Sequence, residues 1–144
     1  MHAITQAIMR WQEATQAYDE AVGERAGLNI AERRALALLM EGAQPAGAIA
    51  TATALTPAAV TALIDRLEKR DLVRRTRSAE DRRKVMVEGG DAARELAETY
   101  YGPVARAGAA MLDRYSDTEL GVIERFVQDA LALQEKELAR LSGA

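Results

Sequence analysis

The 144-residue chain has no cysteine. Disulfides, thiolate metal sites and redox sensing through a thiol of its own are therefore excluded. Histidine is almost as scarce, with His2 alone, so histidine-based triads and His/Cys metal sites have almost no material. Gly42 and Gly47 fit neither spacing of a phosphate-binding loop. Carboxylate pairs exist but fall on helix faces that read as solvated. The expectation is a protein that is not an enzyme and needs no cofactor and no metal. Residues 1–14, MHAITQAIMRWQEA, carry charge early and lack the apolar segment of a signal peptide. Together with the missing cysteine, this points to the cytoplasm.

Charge is absent from residues 42–64, a length that could cross a bilayer. Its large aliphatics are only Ile49, Leu55, Val60, Leu63 and Ile64, and Pro45 and Pro57 interrupt it. Ala, Thr and Gly fill the rest, so the stretch reads as helices and a turn and no membrane is expected. The overall charge is −3, but it is unevenly placed. Residues 66–84 hold nine Lys/Arg and four Asp/Glu, a net of +5. The remainder holds ten and eighteen, a net of −8. A cationic patch on an acidic body suggests a polyanionic partner more strongly than the overall charge does. An ordinary solvated surface would have no reason to crowd nine cations into nineteen residues.

Ile4, Ile8, Trp11, Thr15, Tyr18 and Val22 alternate in steps of four and three, a seam along one face of a helix. Gly23 and Gly27 are expected to loosen the chain after it. Asn29 to Glu32 reads as a capping box opening a second helix, with Leu36, Leu39 and Met40 inward and Gly42 ending it. Gln44-Pro45 reads as a break before a short Ala-rich helix with Ile49 and Ala50 inward. Thr56-Pro57 starts the next helix, because proline suits a first turn where its missing N–H has no helical partner. Val60, Leu63, Ile64 and Leu67 form its apolar stripe. Ala58, Thr61, Ala62, Asp65, Arg66 and Lys69 lie on its other side. After Asp71 the period changes to two: 72–76 and 84–88 read as a hairpin with Val85 and Val87 on one face. Gly89-Gly90 ends it and Asp91 is expected to cap a long helix. Leu96, Tyr100, Val104 and Met111 mark its inner side, and Gly102-Pro103 should kink it. Ser116 to Glu119 is a second capping box. It opens a final helix with Leu120, Ile123, Val127, Ala130, Leu131, Leu138 and Leu141 as its stripe.

Helix, helix, turn, helix and hairpin is the element order of a helix-turn-helix with a wing. The helix after Thr56 would then face a major groove. Its small residues Ala58, Thr61 and Ala62 allow close approach. Thr61 could bond a base edge or phosphate, and an alanine methyl could touch a thymine methyl. Leu55 to Val87, LTPAAVTALIDRLEKRDLVRRTRSAEDRRKVMV, resembles the recognition helix and wing of MarR-type transcription regulators. The marks are Thr56, Val60, Leu63, Asp65-Arg66-Leu67-Glu68, Leu72-Val73 with Arg75, and Asp81-Arg82-Arg83. Ile49-Ala50 fits the preceding helix. The flanking helices fit as well, so the resemblance covers nearly the whole chain.

The resemblance implies a mainly α fold with a small β-hairpin wing, read as one domain over residues 1–144. Helices in 1–23 and 91–144 would form a homodimer, and 29–88 would be the winged helix-turn-helix lobe. It implies a repressor on a pseudo-palindromic operator in double-stranded DNA, released by a small, often aromatic, effector. Arg83 would be the minor-groove arginine, in line with the attraction of narrow grooves for arginine. Asp81 would orient the wing by pairing with Arg75 or Arg77. Arg74, Arg77, Arg82 and Lys84 would meet phosphates. Trp11, Tyr18, Met40, Tyr100, Tyr101 and Tyr115 are candidates to line an effector site. Three departures stand out. Ala62 replaces a frequent polar residue, Asp71 a frequent glycine, and Gly89-Gly90 a frequent Leu-Thr. The alternative is a winged-helix module that binds protein rather than nucleic acid.

Overall fold

The computed structural model describes residues 2–143. Met1 and Ala144, the ends of the range read as one domain, lie outside the described residues, as does the side chain of His2. Among the described residues the order is α1 (His2–Ala26), α2 (Ile30–Met40), β1 (Gln44–Pro45), α3 (Ala46–Thr53) and α4 (Pro57–Lys69). β2 (Val73–Arg77), β3 (Val85–Gly89), α5 (Asp91–Tyr100), α6 (Gly102–Leu112) and α7 (Asp117–Leu141) follow. The chain divides into two compact units between Tyr100 and Tyr101. The fold is mainly helical with a small antiparallel sheet, as the sequence implied.

Local chemistry sets most boundaries of the first unit. Asn29 and Glu32 close the capping box reciprocally, at 2.9 and 3.0 Å, and α2 begins at Ile30. The Thr56 hydroxyl accepts from the Ala59 N–H at 3.3 Å, with Pro57 in the first turn of α4. Helix α4 ends with Asp71 at φ +56, while the N–H groups of Asp71 and Leu72 both reach carbonyls of Glu68 and Leu67 at 3.0 Å. That crossed pair of bonds is a Schellman closure, and Asp71 holds the left-handed position that glycine usually takes. Ala54 closes α3 in the same left-handed region, at φ 55.

Gly23 departs from expectation. Helix α1 runs through it and stops at Gly27, φ +64, again with a Schellman pair, from Gly27 to Glu24 and from Leu28 to Gly23. Gly23 serves close packing instead. A Cβ there would stand 2.9 Å from Arg33 Cδ on α2 and 3.1 Å from the Leu28 carbonyl oxygen.

The core is built from Ile49, Val60, Leu63, Leu67, Val73 and Val87, all under 2% exposed, with Ala35, Leu36 and Leu39 of α2. Met40 does not join it, because α2 ends there and leaves its side chain 47% exposed. Gln44-Pro45 is more than a break. It pairs antiparallel with Met86 and Val87 as the edge of a three-stranded sheet in the order β1-β3-β2. An edge tolerates the proline because no ladder N–H is needed from it. Asp91 opens α5 as its first residue and pairs with Arg94 at 2.5 Å instead of capping it.

In the second unit, Gly102-Pro103 does more than kink a helix. Helix α5 stops at Tyr100 and α6 starts at Gly102, where a proline can occupy the first turn. Val104 and Met111, expected inward, are 51% and 47% exposed. Ser116 and Glu119 form the second capping box and start α7. Bonds from the Ser116 hydroxyl and backbone hold the Glu119 carboxyl below its ordinary pKa. A lowered folded value means stability that is present above the ordinary carboxylate range and lost as pH falls through the lowered value. The melting-temperature advantage of wild type over Glu119→Gln is therefore expected to be largest at neutral pH and to close on acidification. Thermal unfolding across an acid pH series measures it.

Neither α6 nor α7 contains a buried residue. Val127, Leu131, Leu138 and Leu141 of the α7 stripe are 46–75% exposed. The α1 seam behaves alike: Val22 is buried, while Ile4 and Trp11 are 65% and 64% exposed. Among the described residues no single helix is long and apolar enough to cross a membrane.

Candidate nucleic-acid interface

Helices α3 and α4 meet at 102° across a turn closed by Ala54, the geometry of a helix-turn-helix. The inner stripe of α4 is held by the core, so the helix cannot rotate about its axis. Its outer residues Ala58, Thr61, Ala62, Asp65, Arg66 and Lys69 are all exposed, as are Thr56 and Pro57. The Thr61 hydroxyl donates to the Pro57 carbonyl at 3.1 Å, which leaves its lone pairs facing outward as acceptors.

Two charged residues of this face are engaged inside the lobe. Arg66 Nε lies 3.3 Å from the buried Glu32 carboxylate, which also caps α2. Asp65 accepts from Arg75 of β2 at 2.5 Å, and Glu68 accepts from the same guanidinium and from the Arg75 backbone N–H. The hydrogen bond to Asp65 is the main cause holding the Arg75 guanidinium above its ordinary pKa. Exposed ion pairs contribute little stability. What this one supplies is position: a planar fork gripping two carboxylates one helical turn apart fixes the wing strand against α4. Arg74 is likewise engaged, 2.5 Å from Glu88 on the neighbouring strand, and that bond raises its pKa.

The wing tip is shaped by its own backbone. The Ser78 hydroxyl accepts from the N–H groups of Glu80 and Asp81, both at 3.3 Å. The expected pairing of Asp81 with Arg75 or Arg77 is not what the structure has. Asp81 Oδ1 accepts from the Arg83 backbone N–H at 3.0 Å. A short acidic side chain reaches the amide two residues on more easily than a guanidinium already gripped elsewhere. Arg77 donates to the Arg82 carbonyl at 3.3 Å across the loop. With the loop so fixed, Arg82, Arg83 and Lys84 project without an ion pair or side-chain hydrogen bond among the described residues, and so does Lys69 on α4.

The 14 residues expected at DNA thus divide. Lys69, Arg77, Arg82, Arg83 and Lys84 carry charge outward, Asp81 shapes the loop, and Asp65, Arg66, Arg74 and Arg75 are spent on internal pairs. Sequence reasoning named Glu32 only as a cap and Glu68 only as a mark of the resemblance, and missed Glu88 and Arg70, whose guanidinium bonds the Ala26 and Gly27 carbonyls at the end of α1. Only a three-dimensional contact could reveal those partners.

The effector candidates are scattered. Trp11 and Tyr18 lie on α1, Met40 ends α2 beside Gly89, and Tyr100 ends α5, while Tyr101 and Tyr115 belong to the second unit. The Tyr18 hydroxyl donates to the Tyr100 carbonyl at 2.5 Å, which brings those two together. An open depression of about 660 Å³ between the end of α1 and the start of α2 includes Glu20, Glu24, Arg33 and Arg66 in its lining and none of the six candidates. No group of three or more His, Asp or Glu side chains that could hold a metal occurs among the described residues.

The MarR family model matches residues 28–85, the span from α2 into β3. The chain is 31% identical over 128 residues to an uncharacterized HTH-type transcriptional regulator, YcgE, of Bacillus subtilis, covering 88% of this chain and 83% of that protein. Among solved structures it resembles a mutant of S. aureus MepR bound to an oligodeoxyribonucleotide, with 18% identity, coverage of 93% and 98%, and a TM-score of 0.57. It also resembles NadR in complex with 4-hydroxyphenylacetate, with 19% identity, coverage of 88% and 91%, and a TM-score of 0.60. The two structures agree in fold with the lobe described above. A helix-turn-helix crossing at 102°, a wing carrying outward cations, the family match and the YcgE relationship agree: this chain belongs to the MarR family of winged helix-turn-helix, DNA-binding transcriptional regulators.

Proposed function

We propose that the chain acts in the cytoplasm as a homodimer that represses transcription from a pseudo-palindromic operator and is released by a small aromatic effector. The observation that carries the DNA reading is the cluster of outward, unpaired cations at the wing tip, Arg82, Arg83 and Lys84, beside the small-residue face of α4. On this reading Ala58, Thr61 and Ala62 approach base edges, with Thr56 near the backbone. Lys69, Arg77, Arg82 and Lys84 neutralise phosphates, and Arg83 enters the minor groove. Asp65, Arg66, Arg74 and Arg75 hold the reading surface in register. MepR with its bound oligonucleotide supports the mode of use.

The uncovered apolar residues of α1, α6 and α7 support the dimer, because stripes that exposed need a partner to be stable in water. Residues 1–23 and 91–144 would supply that interface and 29–88 the reading lobe. Two-fold symmetry then sets two half-sites about one helical turn apart. NadR with its phenolic ligand supports an effector, for which the Tyr18–Tyr100 contact is the best nucleus among Trp11, Tyr18, Met40, Tyr100, Tyr101 and Tyr115.

Selection of bound duplexes from a random library, with sedimentation of the free protein, tests this. An inverted repeat and a dimer are expected. Enrichment of no duplex would discard the DNA reading in favour of a protein-binding module, and a monomer in sedimentation would discard the dimer.

A further inference from the structure

Arg70 ends α4, yet its side chain leaves the DNA-facing surface and reaches back to α1. Its Nη1 donates to the Gly27 carbonyl at 2.8 Å and its Nη2 to the Ala26 carbonyl at 2.5 Å. Those carbonyls lie at the C-terminus of a 25-residue helix, where unsatisfied oxygens and the helix dipole favour a cation. A guanidinium fork meets two such oxygens in one geometry, which an ammonium cannot do. Helix α1 also packs against α2 at the buried Gly23 and, five residues earlier, is bonded to the end of α5 through the Tyr18 hydroxyl and the Tyr100 carbonyl. The fork ties the end of α1 directly to the end of α4. The backbone around it is also fixed. Schellman closures at Gly27 and Asp71 lock the chain on both sides, so the fork joins two rigid ends.

We propose that Arg70 is a positioning residue. By clamping the end of the recognition helix to the end of α1, it sets the spacing of half-sites that the protein accepts. The inference rests on the dimeric reading above, in which α1 belongs to the interface. An angle fixed between α1 and α4 in each subunit then becomes a fixed distance between two recognition helices. Arg70 needs no contact with DNA for this.

The test uses the full chain and duplexes carrying the selected half-site twice, with the separation varied one base pair at a time. Wild type is expected to show a sharp optimum. Arg70→Ala should flatten it, lowering the preference for the best spacing over its neighbours by about tenfold, the scale of one charged hydrogen bond. Affinity for a single half-site should stay unchanged. Arg70→Lys keeps the charge but not the fork and should flatten the optimum partly; it carries the same comparison should Arg70→Ala fail to fold. Lys69→Ala should weaken every spacing alike. An unchanged spacing profile in the Arg70 variants, or a uniform loss at all spacings, would overturn the proposal while leaving the DNA reading intact. A wild type that binds no duplex, or shows no spacing optimum, would overturn the dimeric DNA reading and this inference together.

Discussion

Gly90→Ala is expected to lower stability by about 2–3 kcal/mol, toward the upper end of what overpacking costs. Gly90 is buried at the junction of β3 and α5. A Cβ placed there would collide with the Asp71 carbonyl oxygen and stand 3.0 Å from the Asp71 carbonyl carbon and 3.2 Å from that of Leu72. All three are backbone atoms, so no side chain can swing aside. The backbone is held from both directions, since the Gly90 N–H donates to the Leu72 carbonyl at 2.9 Å and Asp71 occupies the left-handed region. Gly90 thus leaves room for the backbone of the turn that closes α4 at Asp71 and Leu72. Gly121→Ala is the contrast. Gly121 lies inside α7, a Cβ there meets nothing within 4 Å, and helix propensity alone should add about 0.5–1 kcal/mol. Urea unfolding of both variants beside wild type reads the two signs. An unchanged midpoint for Gly90→Ala would mean that the β3–α5 junction is not packed as described.

The double variant Arg82→Ala, Arg83→Ala should bind the selected duplex about tenfold to a hundredfold more weakly, with the fold intact. Both side chains are exposed and engage no partner in the described chain, so their removal leaves no buried group unsatisfied. Arg82→Ala leaves one phosphate without its cation, which should lower the slope of log affinity against log salt by about 0.9. Loss of Arg83, read as the minor-groove arginine, should make part of the weakening depend on sequence, strongest where the groove is narrow. Titrations at several salt concentrations, against the selected site and a scrambled one, separate the two contributions. Equal affinity and an equal salt slope in the double variant would remove the wing from the interface.

Much of this molecule is written in contacts of four residues or fewer. Asn29 with Glu32, Thr56 with Ala59, and Ser116 with Glu119 are caps whose partners lie three positions away, so helix starts follow from the sequence. The stripe Val60, Leu63, Ile64 and Leu67 identifies the inner face of α4 because helical period alone gathers those residues. The alternating pattern around Val85 and Val87 identifies the hairpin in the same way. These local rules determined the winged helix-turn-helix and the basic wing. They could not determine which charges remain available. Arg66 with Glu32, Arg70 with Ala26 and Gly27, and Arg75 with Asp65 and Glu68 span 7 to 44 positions, and Gln44-Pro45 becomes a strand only because β3 arrives beside it. Asp81 accepts from the backbone N–H two residues on, while the guanidinium of Arg75 is held between two carboxylates. A run of cations in sequence fixes a quantity of charge. Only the packing of the chain decides which of those cations face inward to acids and which face out to a polyanion, because that choice depends on distances that local periodicity does not contain.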